Sequence, residues 1–392
     1  MFKKLADASE ASQTLLKSCK PLARIEFLAL KHATKRVLSQ NLKSPTNLPG
    51  FDRAAMDGYA VRSKDTRGAR PLTPVYLKIK NQVEKGTCVP VRTGMSASGD
   101  ADAVVMIEDT ILHKNHVEIT AEVHPYRNLA RVGEDMMVGD LVFGEGHVLR
   151  PPDISLLAAL GLSEVEVYQK PKVSIIPTGS ELVPPFSGKT LQPGQAYEIN
   201  GLMSELYVNI WGGIPRRQLI AKDDPTVIKE AILSNLDADL ILLSGGTSVG
   251  DKDYAPPVID ELGKLLVHGM RMTPGKPTAL GIVEDTPIIC LPGYPVAALA
   301  ALYLFARPLI KKLAHLREDR PQVEAELTRK ITSRPGYLSF TRVALKDGLA
   351  TPIMTTGAGI LSSVAQAQGY VLVPEEVEGI EPGEKTIVNL IE

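Results

Sequence analysis

Between residues 172 and 315 the chain repeats one pattern: a short apolar run, then a turn carrying glycine, proline or carboxylates, then an amphipathic stretch. Residues 173–176, 218–221, 240–243, 265–270 and 288–291 are too short for helices and are predicted strands. Asn200 is placed to cap a helix with Leu202, Met203, Leu206 and Ile210 on one side. Asp224 followed by Pro225 has the order of a helix start, and Val227, Ile228, Ala231 and Ile232 give that helix an apolar face. Residues 257–262 form another helix, and Pro295 opens a long one toward Leu313. Strands alternating with helices imply parallel strands with helices on both faces, a doubly wound α/β unit.

The polar signals of this unit follow the predicted strands. They are Thr178-Gly179-Ser180-Glu181, Asp223-Asp224, Gly245-Gly246-Thr247-Ser248-Val249-Gly250, Pro274-Gly275-Lys276-Pro277 and Pro292-Gly293-Tyr294-Pro295. In an open parallel sheet the carboxyl ends of the strands share one edge, where ligands bind. The third loop is the most informative. Its glycines let the backbone turn N–H groups toward an anion such as phosphate. Asp251 and Asp253 would repel phosphate unless a hard cation lay between them. Taken alone, such a loop is more often an ordinary strand-to-helix turn than a site.

The flanking sequence is different. Residues 45–139 contain short β-type runs at 75–80, 89–92, 104–108 and 117–123, broken by Gly, Pro and charges, as in a small β-rich domain. Residues 10–40 and 151–168 are helical or mixed, with Ile154, Leu156, Leu157 and Leu160 following Pro151-Pro152. Residues 321–392 are β-rich with one short helix near 361–367. The division expected is therefore 1–44 with 140–170 as a discontinuous first domain, 45–139 as an insertion, 171–318 as the α/β domain and 319–392 as a C-terminal β domain. The fold class is α/β multidomain.

Composition narrows the function. Lys plus Arg is 44 and Asp plus Glu is 45, a balance that argues against nucleic-acid binding through bulk charge. Cys19, Cys88 and Cys290 are odd in number and far apart, so no disulfide framework or cysteine zinc site is expected. The seven histidines show no metal-ligand spacing. The N-terminus lacks the apolar core of a signal peptide, and the longest apolar stretch, residues 296–306, is too short to cross a bilayer. A soluble cytoplasmic protein without a membrane partner is expected.

Seven segments together resemble the molybdopterin molybdenumtransferase family, to which the C-terminal domain of gephyrin also belongs. They are Phe51-Asp52-Arg53-Ala54-Ala55-Met56-Asp57-Gly58-Tyr59-Ala60-Val61, Arg92-Thr93-Gly94, Gly133-Glu134-Asp135, Pro177 to Leu182, Ser244 to Tyr254, Pro274 to Pro277, and Leu291 to Pro295. They occur in family order and span nearly the whole chain. The resemblance implies a central molybdopterin-binding α/β domain in an elongated homodimer of four-domain subunits, with the discontinuous N-terminal domain contributing to dimerisation. It implies insertion of molybdate, or tungstate, into adenylylated molybdopterin, with Mg²⁺ and release of AMP. Other molybdenum cofactor biosynthesis proteins are implied as partners. It also implies roles for particular residues. Asp253, Glu181, Asp224, Asp57 and Asp135 would be catalytic, the first three also as Mg²⁺ ligands. Substrate would be bound by Thr93, Thr178, Gly179, Gly245, Gly246, Thr247, Ser248, Gly250, Pro274, Gly275, Lys276, Pro292, Gly293, Pro295, Arg342 and Ser363.

Read without the family, Asp224 is as well suited to helix capping, Asp135 and Asp57 to turns, Lys276 to solvation, and Arg342 and Ser363 to local packing. The chain also departs from the family pattern. Thr273 stands where a lysine is usual, Ala297 where serine is common, and Tyr294 replaces an asparagine. Arg271, on the same side of an extended strand as Thr273, is expected to compensate. The alternatives are a non-catalytic molybdopterin carrier, which the lost lysine and serine favour, and a molybdopterin adenylyltransferase, which the extra domains disfavour.

Overall fold

A computed structural model describes residues 5–97, 99–245, 254–353 and 359–392. The chain divides into two compact units, Met1–Glu26 with Tyr168–Glu392, and Phe27–Val167.

The first unit is built on a six-stranded sheet. Its order is Ile214–Arg217, Lys172–Pro177, Leu240–Ser244, Thr286–Leu291, Ala279–Val283, Lys264–His268. The first four strands are mutually parallel. Ala279–Val283 was not foreseen; it is antiparallel to both of its neighbours, so Lys264–His268 points the same way as the parallel four. The carboxyl ends of five strands therefore share one edge, although the sheet is mixed rather than purely parallel. Side chains alternate between two apolar layers, as period-two geometry requires. Val173, Ile175, Leu240, Leu242, Ile289 and Leu291 face one core. Ile176, Ile241, Leu243, Ile288 and Cys290 face the other. Helices cover both faces: Asn200–Ile210 and the Pro295–Leu313 segment on the first, Pro225–Leu233 and Ala255–Leu262 on the second. Burial on both faces explains why the inner strands read as continuous apolar runs.

Two details of the sequence reading are corrected. The strand expected at 218–221 is instead Ile214–Arg217. It lies at the sheet edge and tolerates two arginines, which hid it from an apolar-run search. Helix Asn200–Ile210 does not bury the Leu206 and Ile210 side, which are 57% and 56% exposed. Its buried positions include Ser204, Tyr207 and Val208, and Tyr207 stacks on the following Trp211 at 4.8 Å. Asp224, by contrast, caps its helix as expected, its Oδ1 accepting the N–H groups of Thr226 and Val227.

A second six-stranded sheet closes the same unit, in the order Met272–Thr273, Leu338–Lys346, Leu349–Pro352, Gln322–Leu327, Lys385–Leu390, Gly369–Val373, with a further pairing of Leu338–Lys346 to Gly369–Val373. The two sheets share a core in which Tyr370 stacks on Phe340 at 4.3 Å and meets Tyr303 at 5.2 Å. Arg307, 2% exposed, is fixed there by Glu318 and Glu392.

The second unit contains the six-stranded sheet Ala103–Met106, Gly58–Val61, Thr87–Val91, Val75–Ile79, His116–Ile119, Thr110–Leu112, over a core of Tyr59, Leu77, Cys88, Val105 and Ile119. Burial pushes the Cys88 thiol up to about 11. Helix Pro151–Ala159 packs in a separate cluster with Leu38, Leu149 and Val167. Asp153, in the first turn of that helix, accepts the Arg150 N–H; bonds from the Arg150 side chain, with further help from His147, hold its carboxyl well below the usual range against its burial.

Gly245 ends the Leu240–Ser244 strand with φ +102°, and a Cβ there would lie 2.2 Å from the carbonyl oxygen of Thr178. Gly245→Ala is expected to destabilise the first unit by roughly 2–4 kcal/mol through backbone strain and overlap. Urea unfolding followed by circular dichroism measures this; a loss below about 0.5 kcal/mol, the size of a neutral surface change, would show that the edge is not packed as described.

Candidate functional site at the carboxyl edge of the central sheet

The strand-end loops of the first unit are stitched to one another by main-chain bonds. Thr178 donates its N–H to the Ser244 carbonyl at 2.7 Å, Gly179 to Ala221 at 3.1 Å, and Gly245 to Leu291 at 3.2 Å. Ser180 donates its N–H to Asp223 Oδ2 at 3.1 Å, tying the first loop to the second. These N–H groups are satisfied inside the protein. Thr178, Gly179 and Gly245 therefore shape the edge, and a phosphate held there must find other donors. Gly246, Thr247, Ser248, Gly250 and Asp253 lie outside the described residues.

Glu181 follows directly and is exposed at the edge. Asp224 is also exposed, with its Oδ1 given to the helix cap. Asp223, which the sequence reading noted but did not choose, is the carboxylate that contacts the neighbouring loop. Among the described residues no group of three or more His, Cys, Asp or Glu side chains could hold a metal ion. Glu181 and Asp224 still suit Mg²⁺, a hard cation that keeps several waters and takes only one or two carboxylates when substrate phosphates complete its shell.

The Pro274-Gly275-Lys276 turn belongs to an excursion between two sheets. After His268 the chain leaves the central sheet, joins the C-terminal sheet as Met272–Thr273 beside Leu338 and Ser339, and returns at Ala279. Thr278 braces the turn, donating its N–H and hydroxyl to the Gly275 carbonyl at 3.0 and 2.7 Å. Thr273 is exposed. Arg271 is not turned to an oxyanion. It forms a two-pronged pair with Glu375 at 2.9 and 3.0 Å and approaches Asp7 at 3.6 Å, so it fastens the excursion to the C-terminal sheet. Pro292 and Pro295 are buried, whereas Gly293 and Tyr294 are exposed. Ala297 is 3% exposed on the helix behind them.

Arg342 is 5% exposed on Leu338–Lys346, and burial draws its guanidinium below its usual range. Ser363 is 1% exposed and donates its hydroxyl to the Ile360 carbonyl. Both are interior groups rather than open surface. A cavity of about 330 Å³, lined in part by Leu5, Asp7, Glu10, His268 and Arg271, is a separate feature of this unit.

Asp57, Thr93 and Asp135 belong to the other unit. Asp57 Oδ1 accepts the Thr93 N–H at 2.7 Å and its hydroxyl at 2.8 Å. Those two bonds, the backbone one first, draw the exposed carboxyl below its ordinary range. Asp135 is exposed and donates its N–H to the Leu48 carbonyl at 3.0 Å.

Family models match along the whole chain: the MoeA N-terminal region (domain I and II) over residues 6–161, a molybdopterin binding domain over 174–312, and the MoeA C-terminal region (domain IV) over 324–391. Molybdopterin molybdenumtransferase 2 of Mycobacterium tuberculosis is 35% identical over 394 residues, covering 94% of this chain and 95% of that protein. The chain belongs to the MoeA family. Its match to the molybdopterin molybdenumtransferase of Haemophilus influenzae is 30% identical and covers 93% of each. Two structures of the molybdopterin biosynthesis protein MoeA from Pyrococcus horikoshii have TM-scores of 0.87 and 0.82 to it at 34% and 32% identity, covering 99% of this chain. The MoeA fold thus accounts for the layered α/β centre and the C-terminal β sheet together.

The Asp57–Thr93 pair makes a direct prediction. Thr93→Val removes one of the two bonds, so the Asp57 carboxyl should rise part of the way toward its ordinary value of 3.8. A lowered folded-state value stabilises above the unfolded value and is lost as pH falls through the folded one. The stability difference between native and variant should therefore be present above about pH 4 and fade in more acidic solution. Carboxyl-carbon NMR titration of Asp57 checks this; an identical midpoint in both proteins would remove the Thr93 hydroxyl as a cause.

Proposed function

We propose that this protein is a molybdopterin molybdenumtransferase, inserting molybdate or tungstate into adenylylated molybdopterin with Mg²⁺ and releasing AMP. The observation that carries this reading is the convergence of four loops on one sheet edge: 178–181, 221–224, 273–278 and 292–295. Membership of the MoeA family, and the names of its relatives, support the choice of substrate. In this reading Glu181, Asp224 and Asp253 hold Mg²⁺, directly or through waters. When bound, the ion supplies positive charge that offsets the pyrophosphate. Lys276 provides a cation for molybdate or a terminal phosphate, and Pro292, Gly293 and Pro295 bound the substrate on the other side. Asp57 and Asp135, with Thr93, have catalytic roles in the same reading, and Arg342 and Ser363 support the oxyanion end from within. Homodimerisation belongs to the same proposal, as does exchange with other molybdenum cofactor biosynthesis proteins. No helix among the described residues is long and apolar enough to cross a membrane; a cytoplasmic location is part of the same proposal.

The test is AMP release from adenylylated molybdopterin, with Mg²⁺ and either oxyanion. Glu181→Gln should reduce the rate at least tenfold with no change in unfolding midpoint, since an exposed substitution shifts stability by less than about 0.5 kcal/mol. Lys276→Met should raise the half-saturating oxyanion concentration roughly ten- to a hundredfold, the equivalent of one lost charge-assisted bond. Absence of AMP release from the native protein with either oxyanion would favour the carrier reading. Light scattering should give twice the chain mass at micromolar concentration.

A further inference from the structure

A partly buried polar chain crosses the carboxyl edge and is not used by the roles assigned above. Arg217, the last residue of Ile214–Arg217, faces Glu198 Oε2 at 3.7 Å and Glu205 Oε2 at 3.3 Å. Glu198 is 3% exposed, and its Oε1 accepts the Gly201 N–H at 2.5 Å, closing the first turn of helix Asn200–Ile210. Burial pushes its carboxyl above the usual range. Two residues on, Asn200 is 7% exposed and its Nδ2 donates to the Gly293 carbonyl at 2.7 Å. Ile214–Arg217 is the outermost strand and Thr286–Leu291 is separated from it by two others. The chain of contacts therefore runs from the sheet's edge strand to the turn at 292–295. It ends on the exposed part of that turn, because Gly293 and Tyr294 are exposed between two buried prolines.

The other end of the same carboxamide is informative. Asn200 Oδ1 is buried without a hydrogen-bond partner among the described residues. The orientation of the amide is fixed, since the Gly293 carbonyl requires a donor. A buried acceptor without a donor is destabilising. An apolar side chain would avoid that penalty, so stability alone does not account for asparagine at this position.

We infer that Asn200 is a positioning residue: it holds Gly293 so that the 292–295 turn keeps the shape that receives the molybdopterin substrate, with Glu198 fixing the helix turn that carries it. This rests on the function proposed above. It adds a residue that does not touch substrate and acts through Gly293.

The experiment uses the full chain and molybdopterin as the probe, with binding measured by anaerobic calorimetry and unfolding by differential scanning. Asn200→Asp keeps the shape without the donor, and Asn200→Leu fills the volume without polar atoms. Both should weaken molybdopterin binding about tenfold, the worth of one hydrogen bond. The unfolding midpoint of Asn200→Leu should be unchanged or higher. In Asn200→Asp without ligand, the Gly293 and Tyr294 amides should exchange with solvent faster than in the native protein. Native-like binding in both variants overturns the inference while leaving the proposed function intact. Weakened binding accompanied by midpoints lowered by many degrees in both variants overturns it in favour of a structural role. Absence of binding by the native protein removes the proposed function and this inference with it.

Discussion

The close approach of three strand ends governs the site. Gly245 sits where a Cβ would collide with the Thr178 carbonyl, and its N–H reaches the Leu291 carbonyl. Only a residue without a side chain permits both at once. That contact sets how the loops leave Lys172–Pro177, Leu240–Ser244 and Thr286–Leu291, and hence where Glu181 and the 292–295 turn stand. The price is that the main-chain donors of Thr178, Gly179 and Gly245 are consumed in the scaffold. An anionic ligand at this edge must be met by cations, by a metal ion or by other loop donors.

The second organising feature is the excursion from Gly269 to Thr278. One short strand, Met272–Thr273, belongs to the C-terminal sheet, while its neighbours in sequence belong to the central one. Arg271 fastens it through Glu375. The Lys276 turn is thereby held between two sheets, which fixes a flexible basic side chain better than a surface loop would. The C-terminal sheet contributes to the site by holding this turn.

Much of this was legible in the sequence because it depends on local signals. The apolar runs at 240–243 and 288–291, the Asp224-Pro225 helix start and the polar turns after Lys172–Pro177 and Thr286–Leu291 follow from period, length and capping chemistry, and the structure has these. What was not legible depends on partners far along the chain. Arg271 could be judged only by knowing that Glu375, 104 residues away, lies beside it. The buried side of helix Asn200–Ile210 was misjudged because Leu206 and Ile210 obey helical spacing as well as Tyr207 and Trp211 do. Edge-on packing of Tyr207 and Trp211 against Tyr303 decided the matter. Ile214–Arg217 was missed because an edge strand need not be apolar. Asn200 was expected to cap its helix but is its first helical residue, with Ile199 at the cap position; its side chain reaches another loop, a contact that no local pattern encodes.

The central claim is that the carboxyl edge of the six-stranded sheet, between Glu181 and the Lys276 turn, receives the substrate. A crystal structure of the protein with bound molybdopterin tests it most directly. The account predicts ligand density against residues 178–181, 273–276 and 292–295, with the 292–295 turn in the place it occupies without ligand. Density confined to the cavity beside Asp7, Glu10 and His268, with the sheet edge empty, would contradict it.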